Sequence, residues 1–258
     1  MTKWIPGSNV AVAGFMAALF LVSLPTPGQD GDAPVKGKGK QKGAKAKSAP
    51  TPRLADGKVD LSGLWSPDRN FIYDISDSLK PGDKLPTQPW AEKLTRERMS
   101  KDDPEANCLP TGVPRQAPYP WQIVPTPTRV FFLFEGNIHS YRQIFLDRAS
   151  HPADPNPTWY GDSIAKWDGD TLVVESSGFN GKSWLDQVGH PSSESLRVTE
   201  RFHRRDLGHM DIQATITDPI AYTKPWSFTQ PLSLMVDTDL LELVCNENNK
   251  DLPHLPGR

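Results

Sequence analysis

Ser163-Ile164-Ala165-Lys166-Trp167-Asp168-Gly169-Asp170-Thr171-Leu172-Val173-Val174-Glu175 sets two β-prone runs on either side of an Asp168-Gly169 pair. Asp-Gly suits a type I′ hairpin turn, because both central residues there need φ > 0 and the turn matches the twist of the strands. A two-residue loop fixes the register, placing Trp167 opposite Asp170 and Ala165 opposite Leu172. One face then carries Ala165, Trp167, Leu172 and Val174, and the other Lys166, Thr171 and Glu175. Side chains alternate across a strand, so this is a half-buried hairpin.

Three further pairs repeat the pattern. Arg129 to Glu135 and Ile138 to Leu146 flank Gly136-Asn137; Glu194 to Arg205 and His209 to Thr217 flank Asp206-Leu207-Gly208; Trp226 to Val236 and Leu240 to Asn246 flank Asp237-Thr238-Asp239. Four hairpins leave no room for crossover helices. The sequence therefore predicts a mainly β fold, an eight-stranded antiparallel meander closed or strongly curled into a lipocalin-like barrel, which removes exposed edges. In this reading every tight turn lies at one end. The connectors 147–162, 179–193 and 218–225 gather at the other, where a pocket is expected.

Before the hairpins, Leu61-Ser62-Gly63-Leu64-Trp65 reads as a short first strand. Thr87 to Ser100 reads as one N-terminal helix, with Pro89 in its first turn and Trp90, Leu94, Glu97 and Arg98 on one stripe. Pro104 to Pro127 is proline-rich and is expected to wrap the domain irregularly.

The ends differ in kind. Lys3 precedes an apolar run from Val10 to Leu24, followed by Pro25 and Pro27. Residues 1–28 thus fit a secretory signal peptide, with an uncleaved anchor as the alternative. Residues 29–52 hold Lys36, Lys38, Lys40, Lys42, Lys45 and Lys47 among Gly, Ala, Gln and Pro. Such a linker has nothing to bury and is expected to be disordered. A solvated tether is its plainer role, and adhesion to an anionic envelope its functional one. Residues 53–251 make a single barrel-like domain and 252–258 a tail.

The first fifty residues carry seven lysines and two aspartates, so the chain's net charge of −2 leaves −7 on residues 51–258. An acidic domain, with no aromatic residues among the linker lysines, argues against nucleic acid as a partner. Export makes the two cysteines, Cys108 and Cys245, a disulfide candidate, with two separate buried thiols as the alternative. The expected location is periplasmic or secreted.

Candidate chemistry starts from Glu200. In Leu196 to Phe202 the even positions are apolar except Glu200, and Arg142 sits likewise among Ile138, Ile144 and Leu146. Buried charges are rarely left unpaired, so the two are expected to meet inside the barrel, as a structural clamp or as acid–base machinery at a pocket floor. The long connectors supply His151, Trp159 and Tyr160; Trp184, Asp186 and His190; Asp218, Tyr222 and Trp226. Aromatic bodies with polar tips suit a small-molecule site, and histidine beside carboxylate suits proton transfer. Packing of the barrel end explains the same residues without a ligand.

Arg142, His151, Trp159, Tyr160, Trp184, Asp218 and Trp226 are therefore the ligand-binding candidates, and Glu200, Asp186, His190 and Tyr222 the catalytic ones. His203 and His209 share a charged face with Arg197, Arg201 and Arg205, which reads as solvated surface, and turn chemistry already explains Asp168. With no HExxH, paired CxxC, calcium loop, phosphate-binding glycine loop or Gly-x-Ser-x-Gly elbow, neither a metal nor an organic cofactor is expected, the alternative being a metal held at the mouth by His151, His190 and Asp186. The leading function is binding of a small amphipathic, aromatic or carbohydrate-like molecule. The alternative is a cofactor-independent lyase, isomerase or hydrolase on the same scaffold.

Cys108-Leu-Pro-Thr-Gly-Val-Pro-Arg115, Trp167-Asp-Gly-Asp-Thr-Leu-Val-Val174, Thr199-Glu-Arg201 and Val244-Cys-Asn-Glu-Asn248 resemble the motifs of a family of exported bacterial proteins abundant in soil bacteria. The resemblance runs from about Pro52 to about Asp251 and implies an export compartment and one intact domain, without implying a chemistry. Two motifs depart from it. Asp147-Arg-Ala-Ser-His151-Pro152 stands where the family often has Asp-Gly-Arg-x-His-Pro, and Gly189-His190-Pro191-Ser192-Ser193 where it often has Gly-His-Pro-His-Ser. The missing second histidine puts in doubt any role it would have as ligand or base. More loosely, Gly63-Leu64-Trp65 before a meander resembles the opening of lipocalin- and avidin-like barrels.

Overall fold

Nine strands close into a barrel in the computed structural model, which describes residues 49–68, 73–115, 119–136, 141–245 and 247. They are β1 (Gly63–Pro67), β2 (Trp121–Pro125), β3 (Arg129–Phe134), β4 (Tyr141–Phe145), β5 (Asp162–Asp168), β6 (Thr171–Ser177), β7 (Arg197–Arg204), β8 (His209–Thr217) and β9 (Trp226–Met235). Each pairs with the next, and β1 with β9 completes the ring. The mainly β class and the barrel agree with the sequence reading, and the closed ring is compatible with a calycin-like architecture. The expected signal peptide, the tail and all of the linker but residues 49–52 lie outside the described residues.

The details differ in four places. First, Leu240 to Cys245 forms no strand. A strand has two edges, and both edges of β9 are taken, by β8 and by β1. Second, the proline-rich stretch contains a strand, β2. Its burial alternates from Trp121 to Ile123, and its one proline, Pro125, stands at the end of the strand. Third, β4 and β5 run parallel, through Ile144 with Ser163 and Phe145 with Ile164. A parallel link needs a long connection, which residues 146–161 supply.

Fourth, Asp168 pairs with Thr171, Trp167 with Leu172 and Ala165 with Val174, so the loop is Gly169-Asp170. Gly169 has φ +58°, while Cys108 is the one non-glycine with positive φ among the described residues. The turn is thus of the II′ kind, which asks positive φ of its first central residue alone. Relative to the expected pairing this is a slip of two, which leaves every side chain on its original face. Leu172 and Val174 are buried and Glu175 is exposed.

Strand direction sorts the connections between two rims. The turns after β2, β5 and β7 lie at one, the turn rim. The long excursion between β1 and β2, the link after β3 and the connectors 178–196 and 218–225 lie at the other, the loop rim. Residues 146–161 run from the first rim to the second. The expected segregation therefore holds for two of the three long connectors, while the third travels the height of the barrel and the link after β3, expected among the tight turns, lies at the loop rim.

Two apolar clusters follow. The barrel interior holds Trp65, Trp121, Phe132, Leu172, Phe202 and Leu232 among others, with Phe132 packed 4.8 Å from Trp121 and 5.4 Å from Phe202 between ring centroids. Each such ring contributes about 1.5–3 kcal/mol by leaving water. The second cluster covers the loop rim and includes Ile75, Tyr160, Leu185, Leu196, Tyr222 and Trp226. Helix α1 (Pro89–Glu97) is shorter than the expected Thr87 to Ser100; it has Pro89 in its first turn as expected, but buries Ala91 and Thr95. Trp90 is 44% exposed and donates its indole N–H to the Ile220 carbonyl at 2.9 Å, so the apolar stripe lies one residue on from the one expected.

Two fastenings hold the periphery. Cys108 and Cys245 form a disulfide with their Cα atoms 5.8 Å apart, tying the C-terminal coil to the excursion between β1 and β2, which with the connectors 178–196 and 218–225 forms the cap of the loop rim. At the turn rim, residues 49–61 fold back as a strap. Leu207 N–H donates to the Ala49 carbonyl, Asp60 N–H to the Pro52 carbonyl, and Arg53 bridges to Val59. The buried Arg204 guanidinium donates to the carbonyls of Asp60 (2.5 Å) and Leu207 (2.6 Å) and lies over the Trp65 ring.

Candidate functional site

Asp186 has no exposed surface, and each of its oxygens takes two donors. Oδ1 accepts the Gly189 and His190 amides at 2.8 and 3.0 Å; Oδ2 accepts the Ile75 amide at 2.8 Å and His190 Nδ1–H at 2.5 Å. The turn Asp186-Gln187-Val188-Gly189-His190 curls around its own first carboxylate, which explains this local fold. Burial alone would push the carboxyl up, but the hydrogen bond and charge of His190 and the surrounding amides outweigh it, so it titrates below the usual carboxylate range. The pair fixes one imidazole nitrogen, an arrangement that orients a histidine for proton transfer.

The rest of the expected loop cluster is built into the cap. Asp218 accepts the Ser193 amide and hydroxyl at 2.7 Å each and the Ala221 amide at 3.2 Å, stapling two connectors. Tyr222 donates its hydroxyl to the Pro191 carbonyl at 3.0 Å. Burial, followed by the charges of Asp186 and Asp218, pushes that hydroxyl far above the ordinary phenol range. The hydroxyl thus stays protonated across physiological pH. Trp184 is covered by the Arg98 guanidinium at 4.6 Å, and burial lowers Arg98 to about 10, so it remains charged at neutral pH. Trp226 is buried against Tyr222 and Phe228, and Trp159 packs on the same cluster. Among the described residues, these side chains pack over the loop rim.

Asp74 stands beside Asp186 and His190, the ligand-type atoms of the three lying within 4.8 Å of one another. Asp74 Oδ1 already accepts the Ser76 amide and hydroxyl. An ion here would compete with donors that both aspartates already hold. His151 belongs elsewhere, its Nδ1 2.7 Å from Asp162. Asp168 and Asp170 point to separate surface partners, Arg201 and Arg53, at 2.7 Å each.

Arg142 and Glu200 form a buried ion pair inside the barrel wall. The Arg142 guanidinium also donates to Ser176 Oγ at 2.8 Å and Ser163 Oγ at 3.3 Å, and those hydroxyls lie 2.8 Å apart. This network sits behind a seam. The β4–β5 ladder consists of two pairs, and beyond it Tyr141 to Gln143 and Tyr160 to Asp162 part around a cleft of about 460 Å³. Arg142 forms part of its lining, Asn156 and Thr158 come from connector 146–161, and Tyr160 stacks on Phe134 at 5.5 Å between centroids. Arg148 lies over the Phe145 ring and donates to Asp162 Oδ2 at 2.8 Å, while His151 faces the other oxygen of Asp162. Of the expected ligand-binding residues, the seam brings together Arg142 and Tyr160, with His151 one contact behind.

Sequence reasoning missed Tyr141, Gln143, Asn156 and Asp162, because a parallel seam leaves no local pattern. It also missed a buried trio in the cap, in which Arg115 donates to both oxygens of Asp103 at 2.8 Å and to Glu105 at 2.6 Å. Burial raises the Glu105 carboxyl despite Arg115. The Cys108 to Arg115 stretch, which ends on this arginine, was the one signal available. Compared with protein-family models, curated proteins and solved structures, the chain finds no match in any of the three.

Proposed function

We propose that the protein is an exported binding barrel that holds a small amphipathic, carbohydrate-like molecule in the β4–β5 seam. The observation that carries this is the parting of the wall at Tyr141 to Gln143, where aromatic, amide and charged side chains converge on one concavity. Tyrosine faces with a few fixed polar groups suit a polyol or phenolic glycoside, and about 300–1,000 Å³ is the usual size of such sites. Export is supported by the disulfide, which persists in oxidising compartments. Among the described residues no helix is long and apolar enough to cross a membrane. The resemblance to exported soil-bacterial proteins and the lysine-rich linker fit a periplasmic or secreted protein with an envelope tether.

The test is calorimetric titration with a panel of mono- and oligosaccharides and phenolic glycosides. Tyr141→Ala and Asn156→Ala, both on the cleft wall, are expected to weaken a hit at least about tenfold, or ~1.4 kcal/mol, with the unfolding midpoint unchanged. Absence of any saturable binder, or binding indifferent to both substitutions, would overturn the reading. The Asp186–His190 pair supports a second reading, acid–base catalysis in the cap. Turnover of a panel member, abolished by His190→Ala in a folded protein, would favour it.

A further inference from the structure

At the turn rim, opposite the cap, a second concavity of about 470 Å³ opens between the strap and the turn after β2. Val59, Leu61 and Val130 form its floor, each at most 3% exposed, and Leu54, Pro127 and Trp167 stand in its walls. We propose that this cleft is a ligand site of its own, for an uncharged, ring-containing apolar molecule, independent of what the seam binds. Trp167, the aromatic residue of the central hairpin, thereby acquires a use beyond packing.

The class of occupant follows from the lining. Asp56 and Lys58 are its two ionisable residues, and they pair with each other at 3.4 Å. A charged ligand would therefore bring an uncompensated charge beside an apolar floor, which is costly. The volume accommodates a compact ring system, and the partly exposed Trp167 indole is part of its lining. A protein partner would need some 1,000 Å² of contact, yet the strap around this cleft displays the charged Arg53, Asp56 and Lys58.

The frame is firm on both sides. Arg204 holds the strap's base through the Asp60 carbonyl, and Arg53 makes a two-point ion pair with Asp170 at 2.9 and 2.7 Å. Hydrogen bonds within the strap, Leu54 N–H to the Lys58 carbonyl at 2.8 Å and Gly57 N–H to the Leu54 carbonyl at 2.9 Å, fix the tip that carries the Leu54 wall. The cleft is thus shaped before any ligand arrives, and ordering it on binding costs little.

The experiment uses a neutral fluorescent probe, N-phenyl-1-naphthylamine, beside its anionic relative 1-anilinonaphthalene-8-sulfonate. The full chain should enhance the neutral probe saturably and bind the anion several-fold more weakly. Leu54→Asp, at an exposed strap position, should weaken the neutral probe at least about tenfold while leaving saccharide binding at the seam unchanged. Amide shifts on probe addition to the wild-type protein should fall on residues 54–61, 125–130 and 167, which locates the site even if the variant is unstable. Equal affinity for both probes, shifts elsewhere, or a dimer dispersed by Leu54→Asp would overturn the proposal.

Discussion

Arg142 on β4 and Glu200 on β7 are each 1% exposed and bond to each other within a shell of serine hydroxyls. Two ions out of water cost several kcal/mol each unless they stay paired, so removing one strands the other. Arg142→Met and Glu200→Gln should each destabilise by about 3–5 kcal/mol in urea unfolding. Arg142→Met combined with Glu200→Gln should cost clearly less than the sum. A double variant as costly as both singles together would show that the two side chains act separately.

The disulfide joins positions 137 residues apart. Closing so long a loop restricts the unfolded chain, worth about 2–5 kcal/mol when the native geometry is relaxed. Cys108→Ser with Cys245→Ser, or reduction of the intact protein, should lower the thermal midpoint by the corresponding several degrees. Coincident melting curves with and without reductant would show that the bridge adds nothing.

Asp186 sets an acid limit. A carboxyl whose folded value lies below its unfolded one contributes stability that is complete above the unfolded value, about 3.9. That contribution is lost as pH falls through the folded value. Asp186 is lowered through His190 and its amide donors. The midpoint should therefore fall as pH drops below about 4, and Asp186→Asn, less stable at neutrality, should show a shallower fall there. Parallel curves would remove Asp186 from the acid transition.

Two glycines with similar backbone angles should respond differently to alanine. Gly169 has φ +58° and nothing within 4 Å of an added Cβ; Gly161 has φ +67°, and its Cβ would meet the Ser177 carbonyl oxygen at 2.5 Å. Gly169→Ala should cost the conformational penalty alone, about 1–2 kcal/mol. Gly161→Ala should cost distinctly more and disturb the seam beside it. Equal losses by denaturant titration would refute the contact argument.

Much of this was legible in the chain, because strand signals are local. The hairpins around Gly169 and Leu207, and the inward turn of Glu200, follow from turn residues and period-two alternation. Even the misplaced turn at Asp168-Gly169 left the faces intact, since side-chain parity survives a slip of two. The even cysteine pair was readable too, and it is bonded.

Pairing partners were not local, and there the chain was silent. Apart from β2 and Leu240 to Cys245, the sequence by itself determined which segments extend and which face each buries, since backbone sterics and alternating hydrophobicity act within a few residues. Only the tertiary structure decided that β1 rather than Leu240 to Cys245 takes the last edge of β9, and that β4 meets β5 head to head. An edge's hydrogen bonds go to whichever strand closure brings beside it, and the seam cleft exists because that choice left two edges apart.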